Sequence, residues 1–201
     1  ERMRDMVSNN IAKAYDVLIQ YNEKDMEKIS ERETYIDYLN REISEYIVSL
    51  ISNEKSTEDS KIINGYYAVI GNLERIGDHA ADISEMTILM ADSDYEKSAI
   101  NMEVIKEMAK ETTDMVIKSV DAFVNKDLEL ARWVINRDDV VDDLFDSFRK
   151  ELIQKINENV KNGEMATDML MVAKYFERIG DHATNIAEWV IYSITGKHED
   201  E

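Results

Sequence analysis

Apolar residues recur at three- and four-residue steps along almost the whole chain, which is the period of an amphipathic helix. Ile11, Ala14, Tyr15, Leu18 and Ile19 mark a first helix, and Asn22-Glu23 a short connection. Met26, Ile29, Ile36, Leu39, Ile43, Ile47 and Leu50 mark a second. A polar stretch from Ser52 to Thr57 follows, with Ser56 or Thr57 as the N-cap of a third helix over Ile62–Leu89. Ala91–Asp94 breaks the pattern, and a fourth helix covers Ser98–Phe123 before a turn at Asn125-Lys126-Asp127. The fifth covers Leu128–Val160, with Lys161-Asn162-Gly163 as its C-terminal stop. The sixth covers Ala166–Ile194 and ends at Thr195-Gly196, ahead of an acidic tail, Glu199–Glu201. Long helices with short connections predict an all-α protein of antiparallel bundles.

The pattern is also duplicated. Asn72-Leu-Glu-Arg-Ile-Gly-Asp-His-Ala-Ala-Asp-Ile-Ser-Glu85 matches Tyr175-Phe-Glu-Arg-Ile-Gly-Asp-His-Ala-Thr-Asn-Ile-Ala-Glu188 at nine of fourteen positions, an offset of 103. Unrelated segments would share about one. A weaker match relates Arg32–Leu39 to Arg137–Leu144 at an offset of 105. The economical division is two related three-helix bundles in tandem, residues 1–93 and 94–201, each able to bury a core of its own.

Composition narrows the functions open to such a fold. The 201 residues carry 24 basic and 43 acidic side chains, a net charge of −19, with no proline and no cysteine. The missing proline agrees with long uninterrupted helices. So acidic a surface, with no basic run, repels nucleic acid. Without cysteine there is no disulfide framework, zinc ribbon, iron–sulfur site or thiol nucleophile. The longest apolar run, Met169–Ala173, is far short of the roughly 20 residues that span a bilayer. No signal peptide is visible and the chain starts Glu-Arg-Met, which suggests a piece of something longer, with a membrane part elsewhere.

The candidate chemistry lies in the acids. Each half carries acid-x-x-x-acid elements on two helices: Glu33/Asp37 with Glu74/Asp78, and Asp138/Asp142 with Glu177/Asp181. Residues four apart share a helix face. Two such faces brought together would gather four carboxylates that need cations, basic partners or water. An all-oxygen donor set suits hard or borderline cations, and bridging carboxylates favour more than one. Chance alone would put acids four apart about nine times in a chain this acidic. A single pair therefore means nothing, and the repetition on equivalent helices is the signal. A solvated charge network remains the competing reading.

The rest of the repeated segment divides differently. Arg75 and Arg178 are placed to pair with Asp78 and Asp181. Gly77 and Gly180 suggest close helix approach. His79 and His182 point off the acidic face, in outer or surface roles, while Asp82 and Asn185 continue that face by a turn. The eleven methionines and ten tyrosines fall mostly at apolar positions and are expected in the core.

The segments Leu73-Glu-Arg-Ile-Gly-Asp-His-Ala80 and Phe176-Glu-Arg-Ile-Gly-Asp-His-Ala183 resemble the signature of the PhoU family. That resemblance covers nearly the whole chain. It implies a twofold-repeated six-helix fold, with multinuclear iron or zinc clusters held by Glu33, Asp37, Glu74, Asp78, Asp138, Asp142, Glu177 and Asp181. It further implies a cytoplasmic regulator of phosphate uptake, possessing no catalytic residues. Its partners would be a phosphate transporter, a phosphate-sensing kinase, or a second copy in a homodimer. The proline and Asp-Leu-Arg element usual before the third helix of free-standing members are absent from Ser56–Gly65. The first half, with Glu33-x-x-Ile-Asp-x-Leu-Asn40, looks more like the PhoU-type domain of a sodium/phosphate cotransporter, which would tether it to the inner face of the membrane. The second half, ending Ala187–Gly196, looks more like free-standing PhoU, but with no initiator methionine at the start the balance tilts towards the cytoplasmic domain of a cotransporter. Two rivals stand beside this reading: a metal-free helical scaffold, and a di-iron carboxylate enzyme. The enzyme would need Glu-x-x-His elements, whereas glutamate and histidine here stand five apart.

Overall fold

The computed structural model describes residues 1–51, 57–91 and 100–196. Six α-helices account for nearly all of them: α1 (Arg2–Ile19), α2 (Glu23–Ile51), α3 (Thr57–Ala91), α4 (Met102–Asn125), α5 (Leu128–Glu158) and α6 (Gly163–Thr195). The expected Ser56 cap, the Ala91–Asp94 break beyond Ala91, the start at Ser98 and the acidic tail lie outside the described residues. Helix α1 begins two turns earlier than the apolar pattern was read, because Met3 and Val7 continue its buried stripe.

The junction of α5 and α6 corrects the expected stop. Helix α5 ends at Glu158, Asn159 is extended, and Val160–Asn162 form one 3-10 turn. Gly163 has φ −60° and ψ −45°, an ordinary helical conformation, and opens α6. The turn is held by side chains instead. Asn159 accepts from the Lys161 N–H, and Asn162 donates to the Lys155 carbonyl. Left-handed caps do occur where turns were expected, at Lys126 (φ 54°) and Gly196 (φ 72°).

Helices α1, α2 and α3 pack on one another, and so do α4, α5 and α6; α3 also lies along α6, and α1 along α4. The buried apolar side chains form one continuous cluster drawing on all six helices, so the two halves share their interior. Phe148 and Phe176 are its largest fully buried members. Methionines such as Met108, Met115 and Met165 join them, but no tyrosine does among the described residues. Tyr21, Tyr38, Tyr46, Tyr66 and Tyr67 are exposed instead, which keeps their hydroxyls in water.

Each half also buries one polar anchor between its first two helices. In the first, fully buried Asn10 donates to the Ile29 carbonyl and accepts from Arg32 at 3.4 Å. In the second, buried Glu111 accepts from Arg137 in a close ion pair. The repeated arginine thus has a structural task in both halves. Removing it would leave a buried polar group without its partner.

Candidate metal centre

Helix α2 presents Glu33 and Asp37 towards α3, which presents Glu74 and Asp78. One carboxylate oxygen from each of Glu33, Asp37 and Asp78 lies within 4.8 Å of the others. Glu74 stands outside that triplet but close enough for Asp37 and Asp78 to act on its charge. In the second half α5 and α6 bring together Asp138, Asp142, Glu177 and Asp181, each within electrostatic reach of its fellows. Burial repeats with the sequence: Glu33 and Asp138, Glu74 and Glu177, and Asp78 and Asp181 are half-buried, whereas Asp37 and Asp142 are exposed.

Close helix packing makes this convergence feasible. A Cβ added at Gly77 would sit 3.3 Å from Ile36 Cδ1. One added at Gly180 would sit 3.4 Å from Asp138 Oδ1 and 3.6 Å from Val141 Cγ1. The glycines let α2 ride close on α3, and α5 on α6, in the turn that carries the acids.

Electrostatically both clusters are frustrated. Burial, and then neighbouring carboxylates, raise Glu33, Glu74, Asp78, Asp142 and Asp181 above their ordinary values. Asp138 is pushed up to about 6, by burial first and then by Asp142 and Asp181. Basic partners are few. Arg75, 62% exposed, lies 3.3 Å from Asp78 Oδ2 and 3.6 Å from Glu74 Oε2. Arg178 makes no such ion pair among the described residues and acts on Asp181 only at longer range. Lys174, which sequence reasoning passed over, instead meets Glu177 Oε1 at 2.5 Å. Glu177 Oε2 is buried without any hydrogen-bond partner. An orphaned carboxylate oxygen among three more acids is a fit for a bound cation, which would neutralise what the protein does not.

The histidines have a different place. His79 stacks on His182 with ring centroids 5.5 Å apart, at the contact between α3 and α6. His182 Nδ1 lies 2.9 Å from Asn72 Oδ1, and His79 stacks on Tyr175 at 5.7 Å. Asn72 and Tyr175 are equivalent positions of the repeat, as are His79 and His182. Each half therefore offers the same two positions to the other, the reciprocal pattern of a twofold contact. Burial holds His182 down to about 4, with His79 adding to it.

Asp82 and Asn185 belong to this contact, not to the acidic face. Asp82 Oδ2 meets His79 Nδ1 at 3.3 Å, and Asn185 donates to Asn72 at 3.4 Å. Four helical residues overshoot a full turn by about 40°, and two such steps from Glu74 or Glu177 swing the side chain towards the other half.

Comparison with known proteins bears on the whole chain. The PhoU domain model matches residues 1–87 and 105–190. The "Phosphate-specific transport system accessory protein PhoU homolog" of Clostridium acetobutylicum is 33% identical over 201 residues, covering 99% of this chain and 90% of the other. Homolog 1 of the same description from Thermotoga maritima is 32% identical, over 100% of this chain and 86% of its own. The crystal structure of PhoU from Pseudomonas aeruginosa superposes with a TM-score of 0.92 at 26% identity, covering 98% of this chain and 93% of that one. A phosphate transport system regulatory protein PhoU from Streptococcus pneumoniae, at 21% identity and a TM-score of 0.85, shares the fold over 99% of this chain and 93% of its own. With its duplicated signature, its six helices and a family match over both halves, this chain belongs to the PhoU domain family.

Proposed function

We propose that this protein is a metal-binding regulator of phosphate uptake that works through protein–protein contacts and not as an enzyme. The observation that carries the metal part is the duplicated carboxylate quartet, with three of its four members half-buried in each half, Glu33, Glu74, Asp78, Asp138, Asp142 and Asp181 raised in pKa, and few basic partners. Glu33, Asp37, Glu74 and Asp78 would hold cations in the first half, and Asp138, Asp142, Glu177 and Asp181 in the second. Oxygen donors of this kind accept iron, zinc or manganese, often with carboxylates bridging two ions. Bound cations would turn an acidic surface locally positive, on a molecule whose net charge of −19 otherwise repels phosphate and acidic partners.

The regulatory part rests on likeness. Relatives that this chain matches over nearly its full length are described as accessory proteins of the phosphate-specific transport system. That favours this system, on the cytoplasmic side of the membrane, over a cotransporter as the partner. No helix among the described residues is long and apolar enough to cross a membrane, so contact with a transporter would be made by docking.

The test has two arms. Metal analysis of the protein as purified should find metal in the wild type and a loss in Asp78→Ala and Asp181→Ala. Binding to the transport complex should weaken on chelation. Metal-free wild-type protein that binds the complex equally well would defeat the proposal and leave the scaffold reading. One feature favours the scaffold in the second half, where the Lys174 ammonium already neutralises part of the cluster.

A further inference from the structure

Two carboxylate clusters related by a repeat would bind cations alike if their surroundings were alike. They are not. Residue 174 stands 103 positions after residue 71, the offset that relates Glu74 to Glu177, and the pair is Gly71 and Lys174. Lys174 Nζ meets Glu177 Oε1 at 2.5 Å and lies 5.3 Å from the centre of the Phe145 ring. In the first half the place of Phe145 falls to Asn40, at the offset of 105 that relates Glu33 to Asp138. Gly71 and Asn40 there line an open pocket of about 390 Å³ that reaches Glu74 and Arg75.

Thus the first half has a gap where the second has an anchored ammonium. The gap's own cation, Arg75, is 62% exposed and touches its acids at 3.3 Å and 3.6 Å. Lys174 is 35% exposed, closer to its acid, and backed by an aromatic face. The acids follow suit. Three oxygens converge within 4.8 Å in the first cluster, and no triplet does so in the second among the described residues. Lys174 also claims one Glu177 oxygen and leaves only the buried Oε2 free.

We infer that the two sites are inequivalent: the first is the high-affinity cation site, and Lys174 is a built-in competitor that weakens the second. The inference rests on the metal-binding reading above and adds which half fills first and which residue decides it. A cation entering the second site must displace the ammonium or bind beside a like charge, whereas one entering the first meets an open mouth. The gap left by Gly71 also gives the first site room for a second ligand beside the cation.

The full chain, stripped of metal, is titrated with Mn²⁺ while free Mn²⁺ is followed by electron paramagnetic resonance. Wild type should show a tight class lost in Asp78→Asn and a weaker class lost in Asp181→Asn. Lys174→Met, which keeps the side chain's length without its charge, should tighten the weaker class on the order of tenfold. Gly71→Lys with Asn40→Phe should weaken the tight class by a similar factor. A Cβ at residue 71 meets nothing within 4 Å, so the lysine's first carbon enters without a clash, and helicity by circular dichroism checks that each variant folds. Equal affinities of the two classes, or an unchanged weaker class in Lys174→Met, would overturn the inference while leaving metal binding intact. A wild type that takes up no Mn²⁺ at all would overturn both.

Discussion

If the acidic clusters exist for cations, the metal-free protein should be more stable without some of its own charges. Asp138 is the sharpest case. Its carboxyl is held at about 6 against an ordinary value of 3.8. A raised carboxylate contributes stability below its unfolded pKa and loses it as pH climbs through the folded one, here between about 4 and 6. Two units correspond to roughly 3 kcal/mol, and partial access to water reduces this to about 1–2 kcal/mol at neutral pH. Asp138→Asn should therefore stabilise the chelated protein at pH 7.5 by about that amount, or a few degrees in Tm for a chain of this length. The same substitution should remove only the second-half share of the stabilisation that added Mn²⁺ gives the wild type, the first-half share remaining. Urea titrations at pH 7.5 and pH 5, with chelator and with Mn²⁺, measure all of this. The pH profile of the wild type alone is a poor guide, because His182, held down at about 4, acts with opposite sign in the same window. Its contribution is present above about 6.5 and lost as pH falls towards 4. The difference between variant and wild type isolates Asp138. Should Asp138→Asn destabilise the chelated protein at pH 7.5, the carboxylate is already satisfied by the protein and the argument for a missing cation collapses.

Three further outcomes follow from the geometry. Arg137→Met strands buried Glu111 and should cost about 2–3 kcal/mol, somewhat under the range for a fully buried pair because Arg137 is 35% exposed. Adding Glu111→Gln should recover most of that loss, as denaturant midpoints of the single and double variants will tell. Gly180→Leu would drive Asp138 and Val141 off α6; it should lower stability by about 1–3 kcal/mol and weaken Mn²⁺ binding in the second half alone. His182→Phe keeps the stacked face but lacks the contact to Asn72. It should flatten the loss of stability between pH 6.5 and 4 without changing Mn²⁺ affinity; a parallel loss of metal binding would mean that the contact between halves supports the acidic sites.

The repeat, the six helices and the eight acids were legible along the chain because helical periodicity and a four-residue spacing are local properties. Arg32 and Arg137 were visible as a repeated residue, but their partners Asn10 and Glu111 lie on helices whose placement the spacing does not encode. The histidines were legible as lying off the acidic face, but not what they meet: a helix face shows where a side chain points, not what lies opposite, and only the packing of α3 along α6 makes His79 and His182 meet. Asp82 and Asn185 went with them, since the small overshoot of each turn matters only once a neighbour stands on that side. Lys174 sits one residue before the best-matched segment, where the duplication stops being a duplication. The linear order determined which residues recur every hundred positions; the three-dimensional packing decided which of the recurrences are equivalent, because charge acts across space and an ammonium or a gap beside a carboxylate changes it as much as the carboxylate itself.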